Sequence, residues 1–436
     1  MQKGATMPIE INATHDPQRK SWVESANAAD SDFPIQNLPF GLFRHRGVAR
    51  GGVALGAYII DVPQLHAAAL LDGDVAEAAA AMGGPSLAPL LAASPASVSA
   101  LRARLSDLFR VDGPGDRQQL EAMLVPQAEA ELLMPLKPTA FTDFCTSYDH
   151  IARMAQKAPP LAALSLPVAY NGRASSVRED GTPVVRPQGQ FEAPLGSGNV
   201  QFAPEPMLDF ELEFGVWLRG GNPLGQRISV AQAEDLMFGC CLVNDWSARG
   251  IQFFESILGP HLGKSFLTTI SPWIVTMEAL APFRVAARGR PGDEPAVAAH
   301  LLDAQDRAAG GINIELTADF ANAAGSSARI VRSNLAELYW TLAQMVAHQA
   351  SNGAPLEAGD LIATGTVSGA AQEARGCLAE IVLRDGETID LPDGTTRRWL
   401  EDGDTLTLNG RAVAEGYVPI GFGPCSGTIH PAGASA

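Results

Sequence analysis

The chain has 436 residues, with 31 Lys and Arg against 48 Asp and Glu, a formal net charge of −17. A field of that sign repels polyphosphate and no basic stripe interrupts it, so neither nucleic acid nor an anionic membrane is an expected partner. Hydrophobic residues make up 46% of the chain, which excludes disorder, and a Gly plus Pro content of about 17% against a usual ~12% favours a turn-rich, largely β protein over a helix bundle.

Residues 1–21 are polar with little periodicity and read as a loose leader. Met1 to Asp16 holds no cationic segment followed by an apolar run, and no apolar stretch of ~18 residues follows anywhere, so the sequence predicts no signal peptide, no membrane span and a cytoplasmic location. From Asp32 to Asp61 the text changes to short β-like pieces, with Val53, Leu55, Tyr58, Ile59 and Ile60 as apolar positions. Helices are expected over the Ala-rich stretch from Gln64 to Met82, and after Ser94-Pro95, where an N-cap precedes a first-turn proline, to near Phe109. Pro114, Pro126, Pro135 and Pro138 then mark a domain boundary, placed between 134 and 135.

Beyond it, short strands with Gly/Pro turns alternate with two helices that open on capping boxes. One runs from Ser229, with Gln232 three residues later, to Gly239. The other runs from Asn334, with Glu337 three later, and carries Leu335, Leu338, Tyr339, Leu342, Met345 and Val346 to before Gly353. Cys145, Cys240, Cys241, Cys377 and Cys425 are odd in number, spread out and free of any CxxC pair, so they read as reduced thiols rather than a disulfide frame or a zinc site.

Three stretches could carry chemistry. In Leu208-Asp209-Phe210-Glu211-Leu212-Glu213-Phe214 the period of two puts Asp209, Glu211 and Glu213 on one strand face, where three solvated carboxylates are the ordinary alternative. Cys240 to Asp245 is an apolar strand delivering Asn244-Asp245 at its end, with Ser247 as N-cap of a following helix; Arg249, Gln252 and Lys264 then add donors. Thr142 to His150 is a polar turn bearing Asp143 that leads into a short helix. No HExxH, GxSxG or GxGxxG in its proper context occurs. If the strands converge, Asp143, Glu211, Glu213 and Asp245 could not all stay ionised without a cation, so the set predicts raised pKa values or a bound metal, with Ca²⁺ or Mg²⁺ suited to oxygen ligands.

These stretches, in one colinear order, resemble a known family. Asp30-Ser31-Asp32-Phe33-Pro34-Ile35-Gln36-Asn37-Leu38-Pro39-Phe40-Gly41, Tyr170-Asn171-Gly172-Arg173-Ala174-Ser175-Ser176, Asn244-Asp245-Trp246-Ser247-Ala248-Arg249, Leu262-Gly263-Lys264-Ser265-Phe266, Gly359-Asp360-Leu361-Ile362-Ala363-Thr364-Gly365-Thr366 and Gly421-Phe422-Gly423 are similar to the fumarylacetoacetase family over about residues 22–430.

The resemblance implies a mainly β fold with α (α+β): an SH3-like small barrel over 22–134, a mixed β-roll over 135–436, and a homodimer. It implies a divalent cation held by Asp143, Glu211, Glu213 and Asp245, with Lys264 and Thr268 beside it. His150 would be the general base oriented by Glu380, Arg249, Gln252 and Lys264 would face the oxyanion, and Cys145, Tyr170, Gln252, Ser256 and Thr366 would meet the substrate. The implied activity is hydrolysis of the carbon–carbon bond of 4-fumarylacetoacetate to fumarate and acetoacetate, the last step of tyrosine and phenylalanine breakdown. Alternatives are another acylpyruvate or β-diketo acid as substrate, an oxo-acid decarboxylase or isomerase on the same metal, and a non-catalytic protein with a structural calcium site.

The chain departs from the family pattern at Cys145, where a tyrosine is usual, at Asn171, where a histidine is usual, and at Phe253-Phe254-Glu255-Ser256, which lacks a substrate-contacting tyrosine. The shortened 151–165 stretch lacks the arginine expected to grip the substrate carboxylate, so Arg153 or Lys157 is expected to take its place.

Overall fold

The computed structural model describes residues 10–292 and 294–433. The fold is mixed α/β, built on a 13-stranded sheet and a six-stranded sheet. Strand Met237–Asp245 is buried at all nine positions, the near-continuous apolar run of a strand covered on both faces. It pairs antiparallel with Leu212–Leu218, and that strand with Leu361–Ala363; the latter lies parallel to Phe141–Cys145, so the ends of distant segments meet.

The N-terminal strands Phe40–His45, Val48–Leu55 and Tyr58–Asp61 form a meander that continues the large sheet, Phe40–His45 pairing with Trp273–Thr276. Their pairings close into no barrel among the described residues. The seam requires glycine at position 41, because a Cβ there would lie 2.4 Å from the Trp273 ring. One apolar cluster spans it, joining Phe40, Val53 and Leu101 to Trp217, Cys241, Val243 and Ile274.

In the six-stranded sheet, Ile314–Ala321 and Thr405–Ala412 pair antiparallel and alternate buried with less buried positions, so one face meets the core. Phe214 of the large sheet meets Phe422 edge-on at 5.2 Å between ring centroids. No helix among the described residues is long and apolar enough to cross a membrane.

Several local expectations shift. Residues 1–9 of the expected leader lie outside the described residues, while Thr14 and His15 are buried, Arg102 donating to Thr14 and His15 Nε2 lying 2.9 Å from the Glu278 carbonyl. The Ala-rich stretch divides into Val62–Ala67 and Ala76–Ala81, with Ala69 at a φ of 55° between them. The helix Pro95–Phe109 starts on its Ser94 cap, and Val230–Leu236 on the Ser229/Gln232 box. Asn334, by contrast, caps only the 3₁₀ turn Leu335–Glu337; the α-helix Leu342–Gln349 starts from a second box, Thr341 with Gln344. Ser247 caps nothing: Ser247–Ala248 pairs with Leu208–Asp209, and helix Arg249–Glu255 begins without a side-chain cap.

Candidate active site

Three segments deliver Asp143, Glu211, Glu213 and Asp245 to one place, each residue offering an oxygen within 4.8 Å of the others, and all four are buried. Asp143 lies on strand Phe141–Cys145, Glu213 near the start of Leu212–Leu218, and Asp245 at the end of Met237–Asp245. The regular strand lapses at Phe210 and Glu211, so Asp209 parts from the other two. Its carboxylate accepts from the Leu378 and Ala379 N–H groups at 2.7 and 3.0 Å and from Arg249 Nε at 2.8 Å.

Basic groups neutralise part of this charge. Lys264 Nζ is 2.7 Å from Glu211 Oε2 and 2.8 Å from Asp245 Oδ2, and Arg249 Nη1 is 2.8 Å from Glu211 Oε1. Tyr170 and Thr268 hydroxyls donate to Asp245, both at 3.0 Å. Burial works to raise Glu211, but Lys264 and Arg249 outweigh it and hold its pKa down. Burial likewise disfavours the Lys264 ammonium, which Asp245 and Glu211 raise above its ordinary value.

Asp143 and Glu213 behave oppositely. Burial first, then neighbouring carboxylates, push both well above the carboxylate range. Asp143 Oδ1 and both Glu213 oxygens have no hydrogen-bond partner among the described residues. Buried acceptors are almost always satisfied. Unsatisfied oxygens in an all-oxygen set are the donor chemistry of a hard divalent cation, so these residues fit such an ion.

Beside the cluster stands a second buried group. Ser147 caps helix Tyr148–Ala155, accepting from the His150 N–H, and His150 Nδ1 is 2.7 Å from Glu380 Oε1. Burial opposes ionisation of Glu380; the hydrogen bond and charge of His150 outweigh it and hold the pKa below its ordinary value. His150 also contributes to holding Glu211 ionised, so dyad and cluster lie within electrostatic reach. Cys145 lies within reach of both, and burial, then Glu211 and Asp143, push its thiol far up, which leaves a neutral thiol rather than a nucleophile. Gly365, at a φ of 74°, passes so near that a Cβ would sit 2.0 Å from the Phe144 carbonyl. The next residue, Thr366, is buried, and its hydroxyl has no hydrogen-bond partner among the described residues.

A cavity of about 640 Å³ opens over Asp245 and Lys264, with Tyr170, Arg173, His261 and Thr268 among its walls. Asn171 lines it as well. Not every expected residue is gathered. Ser256 is exposed, its hydroxyl donating to the Phe253 carbonyl at 3.3 Å, and Lys157 is exposed outside this cavity. Arg249 has its arms committed to Asp209, Glu211 and Gln252, whose Oε1 accepts from Arg249 at 3.0 Å, so that the amide NH₂ of Gln252 is not used in this contact. Arg153 is bound to Glu380 and to two backbone carbonyls, so it does not take the missing arginine's place as a free cation.

Sequence reasoning missed Ser368, whose hydroxyl donates to Glu380 Oε1 at 2.6 Å. Its only signal is its place two residues after Thr366.

Comparison with known proteins agrees with this architecture. Residues 36–135 match the fumarylacetoacetase N-terminal model and residues 139–430 the fumarylacetoacetate hydrolase C-terminal model. The chain is 39% identical over 431 residues to a fumarylacetoacetase of Oryza sativa subsp. japonica, covering 95% of this chain and 97% of the relative. It is 37% identical over 419 residues to that of Homo sapiens, covering 93% and 98%. A solved structure of fumarylacetoacetate hydrolase from psychrophilic Exiguobacterium antarcticum shares the fold at a TM-score of 0.51 and 18% identity, over 90% of this chain and 99% of that one. With both family models matched end to end along one chain, this protein belongs to the fumarylacetoacetase family.

Proposed function

We propose that the chain hydrolyses the carbon–carbon bond of 4-fumarylacetoacetate, giving fumarate and acetoacetate. One observation carries this reading: an acidic cluster with unsatisfied oxygens stands together with a buried imidazole, paired to a carboxylate at 2.7 Å, on the helix that directly follows the strand of Asp143. Asp143, Glu211, Glu213 and Asp245 would hold the cation. Bound there, Ca²⁺ or Mg²⁺ would supply Lewis acidity toward the substrate oxygens.

His150 accepts a proton from water as the water oxygen adds to the carbonyl. Glu380, fixed on Nδ1, keeps the other ring nitrogen, Nε2, as the acceptor and stabilises the imidazolium that forms; such help is worth typically ~10²–10⁴-fold. Lys264 and the Gln252 amide face the developing oxyanion, and losing one such donor typically costs about 2.7–4 kcal/mol. Arg249 orients Glu211 and Gln252 rather than meeting the substrate itself. Collapse of the oxyanion breaks the carbon–carbon bond, and the departing enolate takes up a proton as acetoacetate. Cys145, Tyr170 and Thr366 shape the substrate end.

We place the division of the chain at 134/135; the N-terminal family match ends at 135 and the C-terminal one begins at 139. A cytoplasmic homodimer completes the reading, and Phe202, Ile257 and Leu258, exposed at 69, 92 and 100%, are apolar positions a second copy would cover. Fumarate and acetoacetate release by the purified protein, against a panel of acylpyruvates and before and after chelation, tests the activity. A strong preference for an acylpyruvate, or turnover that survives His150→Ala, overturns it.

A further inference from the structure

Glu380 is buried, and its carboxylate has two oxygens to satisfy. Oε1 is taken by His150 Nδ1 at 2.7 Å and by the Ser368 hydroxyl at 2.6 Å. Oε2 is held by Arg153 Nη1 at 3.1 Å. The other arm of the same guanidinium, Nη2, donates to the Ala370 and Ala371 carbonyls, both at 3.1 Å. Arg153 therefore ties together helix Tyr148–Ala155, the 370–371 loop and the turn Glu380–Arg384.

His150 and Arg153 are three residues apart on that helix, so both project from one side and a single helix register sets both distances to Glu380. A planar guanidinium suits this task, since its fork fixes direction as well as distance, whereas an ammonium supplies charge alone. Without it, Oε2 would be a buried unpaired acceptor free to swing toward other donors.

We infer that Arg153 is a positioning residue: it locks the Glu380 carboxylate so that Oε1 stays on His150 Nδ1, and it does not bind the substrate. This rests on the proposed role of the His150–Glu380 pair as the water-activating group. It also gives a reason for an arginine at 153 other than substitution for the missing carboxylate-gripping residue.

The test compares Arg153→Gln and Arg153→Lys with the full-length wild type, on whichever diketo acid the wild type turns over best. Loss of a group that orients a catalytic ligand typically costs ~10–100-fold; kcat of Arg153→Gln should fall by about that factor with KM within ~3-fold, and Arg153→Lys should recover part of it. An activity-independent arm uses the downfield proton resonance of the His150 Nδ1–H, expected in the wild type, lost in Arg153→Gln and partly restored in Arg153→Lys. If the wild type turns over no diketone, the catalytic reading fails, while the resonance still reports on the lock. A KM raised more than ~10-fold at unchanged kcat would make Arg153 a substrate ligand and overturn the inference; an unchanged resonance in Arg153→Gln would overturn it equally.

Discussion

Glu213 has both carboxylate oxygens buried and unpaired among the described residues, and burial together with Asp143 and Asp245 raises its pKa. A side chain so placed works against the metal-free fold and for the metal-loaded one. Glu213→Gln should therefore melt no lower than wild type without metal, yet lose the rise in Tm that wild type shows with Mg²⁺ or Ca²⁺, which is about 2.7 kcal/mol of stabilisation at a hundredfold excess over Kd; thermal scans with and without the cation read both. The same groups set a pH dependence. Because the folded pKa values of Asp143 and Glu213 lie above the unfolded ones, the metal-free fold holds more protons than the unfolded chain and loses stability as pH rises from about 4 through the raised values. Metal binding needs the ionised forms, so the Tm increment from Mg²⁺ should be larger at pH 8 than at pH 5. Glu211, Glu213 and Asp245 were legible from strand period and strand end, whereas Asp143 was read on a polar turn where the structure has the strand Phe141–Cys145. Asp209 was misread as their companion because a break at Phe210-Glu211 has no period to betray it. Ser368 escaped, and Arg153 was expected to grip the substrate, for a different reason: their partner is Glu380, which is 12 and 227 residues away.

At the scale of elements, turns decide where the catalytic groups stand. Gly365 combines a φ of 74° with a site for Cβ only 2.0 Å from the Phe144 carbonyl, and strand Leu361–Ala363 before it runs parallel to Phe141–Cys145. Gly365→Ala should destabilise by more than the ~1–3 kcal/mol of backbone strain alone, and should separate Thr366 from Cys145. Urea denaturation would show this as a lower midpoint at unchanged slope. The helices show what sequence pattern can and cannot say. Ser94 and Ser229 were readable as starts because each cap is local. Asn334 is an equally good cap, but Leu338 to Trp340 leave the helical path to pack, with Trp340 donating to the Ala163 carbonyl at 3.0 Å, and the helix restarts at Thr341. Tertiary packing overrode a correct local signal.

Over the whole molecule, the sheet runs without interruption from Leu124–Pro126 through the N-terminal meander to Val168–Asn171. A fragment limited to residues 139–433 would bare Trp217, Phe238, Ile270 and Ile274, all buried in the cluster shared with the N-terminal strands. Such a fragment should be insoluble or lack a cooperative melting transition, and restoring residues 10–138 should recover both, as calorimetry would show. A turn-rich, largely β chain was readable from turn content and alternation, and the α+β class was what the family resemblance implied. The joining of the two parts was not, since pairing between Phe40–His45 and Trp273–Thr276 leaves no mark in either segment except the glycine under Trp273. That seam has a consequence for biogenesis: the first meander meets Trp273–Thr276 only after well over half of the polypeptide has left the ribosome, and until then that part of its apolar side stays open, a nascent intermediate exposed to misassembly.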